Sequence, residues 1–216
     1  MEMSVLTNMN VSVTDDHQLV REGIKAVLTD NGLHYITTFS NTAETLRALD
    51  DGQVFDFYIV DLELPDTDGF ELIREIRDRQ PGARIIVSTV HDEVWTLHRL
   101  LLLDVDAVIY KSGASEEIIE AMERILRGQK YYCKEARQEM KLADDSSRHP
   151  TEREMEVLCL IAEGKTTKEI AGTLFVSENT IEAHRKSLFH KLGAVNVADL
   201  LMKAVDQGYI KRHCRR

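Results

Sequence analysis

A run of four apolar or aromatic residues, Phe57 to Val60, ends abruptly in Asp61, and a loop rich in Pro, Asp and Gly follows. Such a run, bounded by turn-forming residues, is typical of a strand that is buried on both faces of a parallel sheet. The carboxylate of Asp61 then lies at the C-terminal end of the strand, where open α/β sheets bind their ligands. Because an isolated aspartate is most often an ordinary loop residue, the rest of the chain must decide its role.

Four more polar residues follow other apolar runs at the equivalent position, namely Asp15, Asp16, Thr89 and Lys111. The C-terminal ends of parallel strands share one edge, so these side chains are expected to lie near Asp61. Neighbouring carboxylates repel each other unless a cation is present, and oxygen ligands with room for water suit Mg²⁺. We predict that Asp61 accepts a phosphoryl group beside a metal held by Asp61 and by Asp15 or Asp16, with Thr89 and Lys111 on the phosphoryl oxygens.

Strands and helices alternate through the first 130 residues. This order predicts an α/β, doubly wound, parallel five-stranded sheet with right-handed crossovers and helices on both faces. Hydrophobic periodicity places strands near 11–14, 35–39, 57–60, 84–89 and 107–110, and helices near 19–28, 42–49, 70–79, 94–103 and 115–127.

Residues 9–130 resemble the receiver domain of two-component response regulators. The stretches that carry the resemblance are Asp15 to Gly23, Asp61 to Phe70, Ser88 with Thr89, and Lys111. It implies a flavodoxin-like fold, a histidine kinase as phosphodonor and Mg²⁺ as cofactor. By position, it implies the phosphoacceptor Asp61, the metal ligands Asp15, Asp16, Asp61 and the backbone carbonyl of Glu63, and the phosphoryl-binding residues Thr89 and Lys111.

The sequence departs from the receiver pattern at two positions. The family usually has a Tyr or Phe three residues before the lysine, an aromatic switch that turns inward on activation, and this chain has Val108 there. Ala107 replaces the small glycine that commonly precedes the switch. Tyr110 shares strand parity with Val108 but lies two residues further on. The chemistry at Asp61 is therefore expected to be intact, whereas its coupling to the distant surface is expected to differ.

Charge is distributed unevenly along the 216 residues, whose net charge is −10. The part before Arg148 has 15 basic and 28 acidic residues, a net charge of −13, and the remainder has 12 basic and 9 acidic residues, a net charge of +3. This asymmetry favours a regulatory or catalytic domain joined to one that touches nucleic acid. Three widely spaced cysteines and the lack of a signal-peptide or membrane-span pattern predict a cytoplasmic protein.

The sequence pattern divides the chain into four parts. Residues 1–8 are predicted to be an N-terminal extension, 9–130 the receiver, 131–148 a linker, and 149–216 an all-α, four-helix DNA-binding domain. The linker interpretation depends on the loss of strand-helix alternation after Lys130 and on the polar run Asp144 to Ser147.

After Pro150 the apolar spacing is helical throughout. Thr151 to Glu154 and Thr166 to Glu169 each fit a capping box, in which Thr and Glu side chains satisfy free backbone donors. The turn Phe175 to Ser177 separates a short helix from a longer one that ends at Gly193. A short helix, a tight turn and a longer helix form a helix-turn-helix, whose second helix enters the major groove.

The longer helix has an apolar face with Ile181, Leu188 and Leu192, and an opposite face that is short, polar and mixed in charge. That polar face suits base edges, although it is also typical of an ordinary solvated helix. The residues predicted to contact bases are Asn179, Glu182, Ala183 and Lys186. Those predicted to contact phosphates, and so to position the domain, are Lys165, Lys168, Arg185 and Lys191.

Residues 149–208 resemble the LuxR-type DNA-binding domain. The resemblance rests on Thr151 to Leu158, Glu163 to Ala171 and Val176 to His184, with Pro150 where the family usually has Leu. Together with the receiver, it identifies the chain as a member of the NarL/FixJ family of response regulators. In that family the last helix forms a dimer contact, which implies the dimer residues Val197, Leu200, Leu201 and Ala204.

These resemblances imply a phosphorylation-regulated transcriptional regulator rather than an enzyme. Phosphorylation by a histidine kinase is expected to release the DNA-binding domain, which then dimerises on double-stranded DNA with two half-sites; RNA polymerase is a further expected partner. Two alternatives remain open at this stage. One is a metal-dependent phosphatase or phosphotransferase, and the other is a regulator with an atypical receiver that binds DNA independently of phosphorylation.

Overall fold

The computed structural model describes residues 6–90, 94–111, 116–134, 136–137, 149–207 and 209–210. The chain divides into two compact units, one built around a parallel sheet and one that is helical. Among the described residues, no helix is both long enough and apolar enough to cross a membrane. Most of the predicted linker, residues 138–148, lies outside the described residues, as do residues 1–5 of the predicted extension. Leu6 is described and is buried.

The first unit alternates strands and helices, as the sequence pattern predicts. Its strands are β1 (Asn10–Thr14), β2 (Tyr35–Phe39), β3 (Phe57–Val60), β4 (Arg84–Thr89), β5 (Ala107–Tyr110) and β6 (Tyr131–Tyr132). Its helices are α1 (Gln18–Asp30), α2 (Thr42–Asp50), α3 (Gly69–Arg79), α4 (Val94–Leu102) and α5 (Glu116–Leu126).

The strands form one sheet in the order β2-β1-β3-β4-β5-β6, and every pairing is parallel. Strand β3 lies between β1 and β4, and all four of its residues are buried. This position explains its uninterrupted apolar sequence, because both of its faces are covered. The doubly wound α/β prediction is confirmed.

The prediction of five strands was wrong by one. Tyr131 and Tyr132 lie in the predicted linker, but they form β6 beside β5. The Tyr131 N–H donates to Asp106 O at 3.0 Å, and the Cys133 N–H donates to Val108 O at 3.0 Å. A two-residue strand is too short to show an alternating pattern. We therefore propose that the receiver extends through β6 rather than ending at residue 130.

The helical unit contains α6 (Glu152–Ala162), α7 (Thr167–Leu174), α8 (Glu178–Leu192) and α9 (Val197–Asp206). Both predicted capping boxes are present, at Thr151 and at Thr166, and Ser177 caps α8 by accepting from the Thr180 N–H. The turn between α7 and α8 places Phe175 in a left-handed conformation with φ of 53°. One apolar core joins all four helices, so α7 and α8 are held as a helix-turn-helix.

Candidate functional site

Three of the predicted site residues directly follow strands, and backbone hydrogen bonds hold each one to a neighbouring strand. The Asp61 N–H donates to Thr14 O at 2.9 Å, the Asp15 N–H to Phe39 O at 3.2 Å, and the Lys111 N–H to Thr89 O at 2.9 Å. The sheet therefore fixes the backbone of these residues one position beyond each strand end.

Asp15, Asp61 and Lys111 come together at this edge. The Lys111 ammonium nitrogen lies 2.7 Å from Asp61 Oδ2, to which it donates a hydrogen bond, and 2.7 Å from Asp15 Oδ2. Asp15 is 1% and Asp61 2% exposed. Burial raises the pKa of Asp61, and the neighbouring Lys111 only partly opposes this rise. Burial alone would lower the pKa of Lys111, but its contacts with the two carboxylates raise it, so the lysine stays charged at neutral pH.

The donor set at this edge fits a hard divalent cation. Asp15, Asp16, His17 and Asp61 each offer one ligand atom, and these atoms lie within 4.8 Å of one another. The other oxygen of Asp61, Oδ1, is buried and has no hydrogen-bond partner among the described residues. Buried polar atoms are normally hydrogen-bonded, and carboxylate oxygens are the ligands that Mg²⁺ prefers. The three carboxylates therefore suit Mg²⁺, and the same group of atoms includes the imidazole of His17, which the sequence pattern did not predict as a ligand.

Thr89 and Glu63, two further predicted site residues, lie at or shortly after the C-terminal ends of β4 and β3 in the sequence. Thr89 is the last residue of β4, is fully buried, and pairs in register with Tyr110. Glu63 forms an isolated antiparallel bridge with Asp68, and its backbone N–H makes a small contribution that opposes the rise in the pKa of Asp61 caused by burial. The roles of the Thr89 hydroxyl and of the Glu63 carbonyl stay predictions.

Gly69 closes the loop that follows Asp61. Its N–H donates to Leu62 O at 3.0 Å. A Cβ atom at this position would lie 2.3 Å from Asp61 O and 2.6 Å from the Leu62 Cα, which are distances that real contacts do not reach. The start of α3 thus packs directly on the backbone of Asp61. The sequence signal for this close approach is the glycine that ends the Asp-Thr-Asp-Gly loop, Gly69.

Asp66 ties the same loop to α2. Its two carboxylate oxygens accept from the Thr42 N–H at 3.0 Å and from the Ala43 N–H at 2.8 Å. These are free donors of the first helical turn, which a carboxylate stabilises. Burial is the largest single influence and on its own would raise the pKa of Asp66, but the backbone hydrogen bonds together hold the pKa below its ordinary value.

Replacing Asp66 with alanine is expected to lower the free energy of unfolding by about 1 kcal/mol, because two backbone donors lose their acceptor. Urea titration of the full chain at pH 7 measures this change. Asp51→Ala, an exposed aspartate at the other end of α2, is the matched control and is expected to change stability by less than about 0.5 kcal/mol. Equal losses for the two variants would contradict the capping role.

Val108 occupies the position at which the receiver family usually has its aromatic switch. Val108 is fully buried in β5 and pairs in register with Val87, whereas Tyr110 pairs with Thr89. An aliphatic side chain held between β4 and β6 has no ring to turn inward. The structure thus locates the departure from the receiver pattern inside the sheet.

In the helical unit, α8 has the predicted inward and outward faces. Ile181, Leu188 and Leu192 are buried in the core. The side chains of the predicted base-contacting residues are exposed, namely Asn179, Glu182, Ala183 and Lys186. Glu182 also accepts a hydrogen bond from the Thr167 hydroxyl at 2.7 Å, which links the recognition surface of α8 to the start of α7.

Lys191 does not fit its predicted role as a phosphate contact. Its ammonium nitrogen donates to Glu154 Oε2 at 2.8 Å, and the side chains of Lys191 and Glu154 are 14% and 6% exposed. A lysine that neutralises a buried carboxylate is not available to DNA phosphates. Lys165 and Arg185 are half-buried, and Lys168 is exposed.

Two of the four predicted dimer residues belong to the core instead. Leu200 and Ala204 are fully buried within the helical unit, so their side chains are not available to a second chain. Helical periodicity identified an apolar face but did not show what covers it. Val197 and Met202 are exposed and Leu201 is half-buried, so the side chains of these three residues remain accessible in the helical unit.

Comparison with known families bears on both units. A family model described as the response regulator receiver domain matches residues 11–123, more than half of the chain. The chain belongs to the response regulator receiver family. A second model, described as bacterial regulatory proteins of the luxR family, matches residues 151–204 of this response regulator. The predicted combination of a receiver with a LuxR-type helix-turn-helix domain is confirmed.

The response regulator is similar to characterised proteins over nearly its whole length. It is 28% identical to the transcriptional regulatory protein MctR of Rhizobium johnstonii, over 97% of this chain and 99% of MctR. It is 27% identical to the response regulator UvrY of Escherichia coli strain K12, over 93% of this chain and 95% of UvrY.

Solved structures are also similar to this chain over most of its length. A structure of the RcsB–DNA complex is 30% identical, covers 93% of this chain and 98% of that chain, and has a TM-score of 0.65. A structure of RcsB from Salmonella enterica serovar Typhimurium, bound to promoter rprA in the presence of the phosphomimetic BeF₃⁻, is 30% identical with a TM-score of 0.66. It covers 91% of this chain and 98% of that chain.

Proposed function

We propose that this response regulator is a DNA-binding transcriptional regulator in which Asp61 accepts a phosphoryl group from a histidine kinase and thereby controls dimerisation and operator binding. The observation that carries the proposal is the buried Asp61 carboxylate, 2.7 Å from the Lys111 ammonium, in a chain that also contains a helix-turn-helix. The receiver and luxR family matches support both halves of this assignment.

The chemistry at Asp61 is a transfer of the phosphoryl group from nitrogen to oxygen. A carboxylate oxygen of Asp61 attacks the phosphorus of a phosphohistidine, the phosphorus–nitrogen bond breaks, and the imidazole leaves with its electron pair and takes up a proton. Asp15, Asp16 and Asp61 would hold Mg²⁺, which supplies charge neutralisation at the phosphoryl oxygens. Lys111 provides the fixed cation of the chain, and we assign the Thr89 hydroxyl to a phosphoryl oxygen.

Phosphorylation changes the electrostatics of a buried site. A phosphoryl group on a side chain carries a charge of about −1.5 to −2, and Asp15 is already buried beside Asp61. The added charge competes for Lys111, which contacts both carboxylates. A redistribution of these contacts would bias the receiver between two conformations, which is the means by which we expect phosphorylation to act on DNA binding.

Substitution of Asp61 tests this proposal. DNA selected from a random-sequence library by the wild-type protein supplies the operator, and acetyl phosphate with Mg²⁺ supplies the phosphoryl group. Operator affinity is measured at one stated salt concentration, because phosphate contacts make it salt-dependent. The wild type is expected to incorporate phosphate and bind at least about tenfold more tightly with the donor; Asp61→Asn is expected to do neither. Equal phosphate incorporation by the two proteins would contradict the assignment of Asp61.

A second candidate is DNA binding that is independent of phosphorylation, and the buried Val108 in place of the aromatic switch favours it. The same measurements separate the two. If the wild type incorporates phosphate but its operator affinity does not change, the site is chemically competent but uncoupled from DNA binding. Asp61→Asn would then bind the operator as tightly as the wild type.

We propose that α8 lies in the major groove, with Asn179 and Lys186 on base edges, and that Lys168, Lys165 and Arg185 contact phosphates. A dimer would place one α8 helix on each half-site. The exposed residues of α9, Val197, Leu201 and Met202, are the proposed dimer contacts. RNA polymerase is the proposed downstream partner.

Lys168→Ala and Lys186→Ala are expected to weaken operator binding in different ways. The exposed Lys168 is expected to act on phosphates, so its loss should reduce the slope of log affinity against log salt by about 0.9 per half-site. Lys186 is expected to act on a base, so its loss should cost about 1–3 kcal/mol and relax the preference at one operator position. Competition assays with single-base operator variants at several salt concentrations measure both effects. If Lys168→Ala relaxed the base preference and Lys186→Ala reduced the salt slope, the two assignments would be reversed.

A further inference from the structure

His17 contacts the acidic site, but the proposed function gives it no role. Its Nδ1 atom lies 2.5 Å from Asp16 Oδ1 and 3.6 Å from Asp15 Oδ1. Its backbone N–H donates to Asp15 Oδ1 at 2.8 Å. The imidazole nitrogen is therefore on the same side of the strand ends as the carboxylates that suit a metal.

Neither helix capping nor burial accounts for this position. His17 precedes α1 as its N-cap residue, but its side chain makes no capping hydrogen bond. The side chain is 65% exposed, so packing does not force it against Asp16. In this rotamer the imidazole contacts Asp16 and Asp15, whereas a rotamer that points into solvent would make neither contact.

A second observation indicates that a cation belongs among these atoms. Asp61 is 2% exposed, and its Oδ1 has no hydrogen-bond partner among the described residues. Ligand atoms of Asp61, Asp15, Asp16 and His17 lie within 4.8 Å of one another. Three of the four are carboxylate oxygens, and the fourth is an imidazole nitrogen, which changes the kind of ion that the set prefers.

We propose that His17 is a nitrogen ligand of this site and that it shifts the selectivity of the site from Mg²⁺ toward Co²⁺ and other borderline divalent ions. The proposal rests on the metal site of the proposed function. Mg²⁺ binds oxygen ligands and retains its waters, so it gains little from an imidazole. Borderline ions bind imidazole well, and they would compete with Mg²⁺ whenever their free concentration allows.

Titration calorimetry on the full chain tests the selectivity. Co²⁺ and Mg²⁺ chlorides are titrated separately into the wild type, His17→Gln and His34→Gln, an exposed histidine of the same unit that serves as the control. In His17→Gln the Co²⁺ affinity is expected to fall at least about tenfold, while the Mg²⁺ affinity changes less than about threefold because its oxygen ligands remain. An unchanged ratio of Co²⁺ to Mg²⁺ affinity in His17→Gln would overturn the proposal.

Pulsed electron paramagnetic resonance of the Mn²⁺-loaded protein reports directly whether nitrogen is bonded to the ion. The nitrogen coupling is expected in the wild type and in His34→Gln and is expected to be absent in His17→Gln. His91 follows Thr89 by two residues and lies outside the described residues, so His91→Gln is included. Loss of the coupling in His91→Gln instead of His17→Gln, or no coupling in the wild type, would overturn the proposal.

Asp61→Asn separates this inference from the proposed function. It is expected to weaken both Mg²⁺ and Co²⁺ binding, because both ions use the same carboxylates. If neither ion binds the wild type, or if Asp61→Asn binds both as tightly as the wild type, the metal site of the proposed function fails and this proposal fails with it. If Asp61→Asn weakens the binding of both ions but His17→Gln leaves the ratio of Co²⁺ to Mg²⁺ affinity unchanged, only this proposal fails.

Discussion

Gly69→Ala is expected to lower the free energy of unfolding by about 2–3 kcal/mol, the upper part of the range for an overpacked site. The added Cβ would meet the Asp61 carbonyl oxygen at 2.3 Å and the Leu62 Cα at 2.6 Å. Both are backbone atoms, so no side-chain rotation can relieve the overlap, and either α3 or the Asp61 loop must move. Urea unfolding of the full chain at pH 7 measures the loss.

The same substitution is expected to slow phosphorylation at Asp61 more than the lost stability explains. A shift of the Asp61 backbone displaces its carboxylate from Lys111, to which it is joined by a 2.7 Å contact. Phosphate incorporation from acetyl phosphate is measured under conditions where both proteins are fully folded. Misplacement of a reacting group by about 1 Å can cost roughly 100-fold in rate, and we expect a loss of that order.

Gly82→Ala is the matched control. A Cβ at Gly82 would meet nothing within 4 Å, and its backbone is not in the left-handed region. Alanine there is expected to be neutral or to stabilise by up to about 1 kcal/mol, because it restricts the unfolded chain. If Gly69→Ala and Gly82→Ala had equal stability, α3 would not pack on the Asp61 backbone as the structure places it.

The second large effect is expected at Glu154, which combines a cap and an ion pair. One of its oxygens accepts from the Thr151 N–H at 2.6 Å and from Lys191 Nζ at 2.8 Å. Glu154→Gln is expected to lower the free energy of unfolding by about 2–4 kcal/mol, because Lys191 is left as a nearly buried charge without its partner. Thermal and urea unfolding measure this change in the full chain.

The stabilisation by Glu154 is expected to depend on pH. Burial alone would raise the pKa of Glu154, but Lys191, Ser187 and the Thr151 amide together lower it below its ordinary value of 4.5. Since the folded-state pKa is the lower one, the carboxylate stabilises the folded chain above about pH 4.5, and this contribution is lost as the pH falls through the folded-state pKa. The difference in stability between wild type and Glu154→Gln should therefore shrink below pH 4.5.

Two variants test the cause of this loss. Glu169→Gln alters the second capping box at an exposed position, so it should cost clearly less than Glu154→Gln. The double variant Glu154→Gln with Lys191→Met removes the unpaired charge and should recover part of the loss. A double variant as unstable as Glu154→Gln alone would contradict the ion-pair explanation.

Local patterns were sufficient to predict the elements that position the site. The apolar run that ends at Asp61 identified a central strand, because a strand buried on both faces has apolar residues at successive positions. The two capping boxes are equally local, since each involves residues only three apart. The gathering of strand ends at one edge then follows from the parallel topology.

Contacts between segments that are distant in the sequence could not be predicted from local patterns. Helical periodicity placed Lys191 near the DNA-facing side of α8 but could not show that Glu154, 37 residues earlier, lies 2.8 Å away. Leu200 and Ala204 belong to an apolar face, and only the packing of four helices shows that it is core. The reach of His17 toward Asp16 depends on a rotamer, which neighbouring sequence does not specify.

The ion pair between Glu154 and Lys191 also bears on how the recognition helix meets DNA. Ser177 caps α8 at its first turn, and Lys191 anchors its last turn to α6. A helix secured at both ends is preorganised, so docking costs little conformational entropy. Discrimination between operators by this domain should then reflect base contacts and the bending energy of DNA, with a small entropic penalty for ordering the protein.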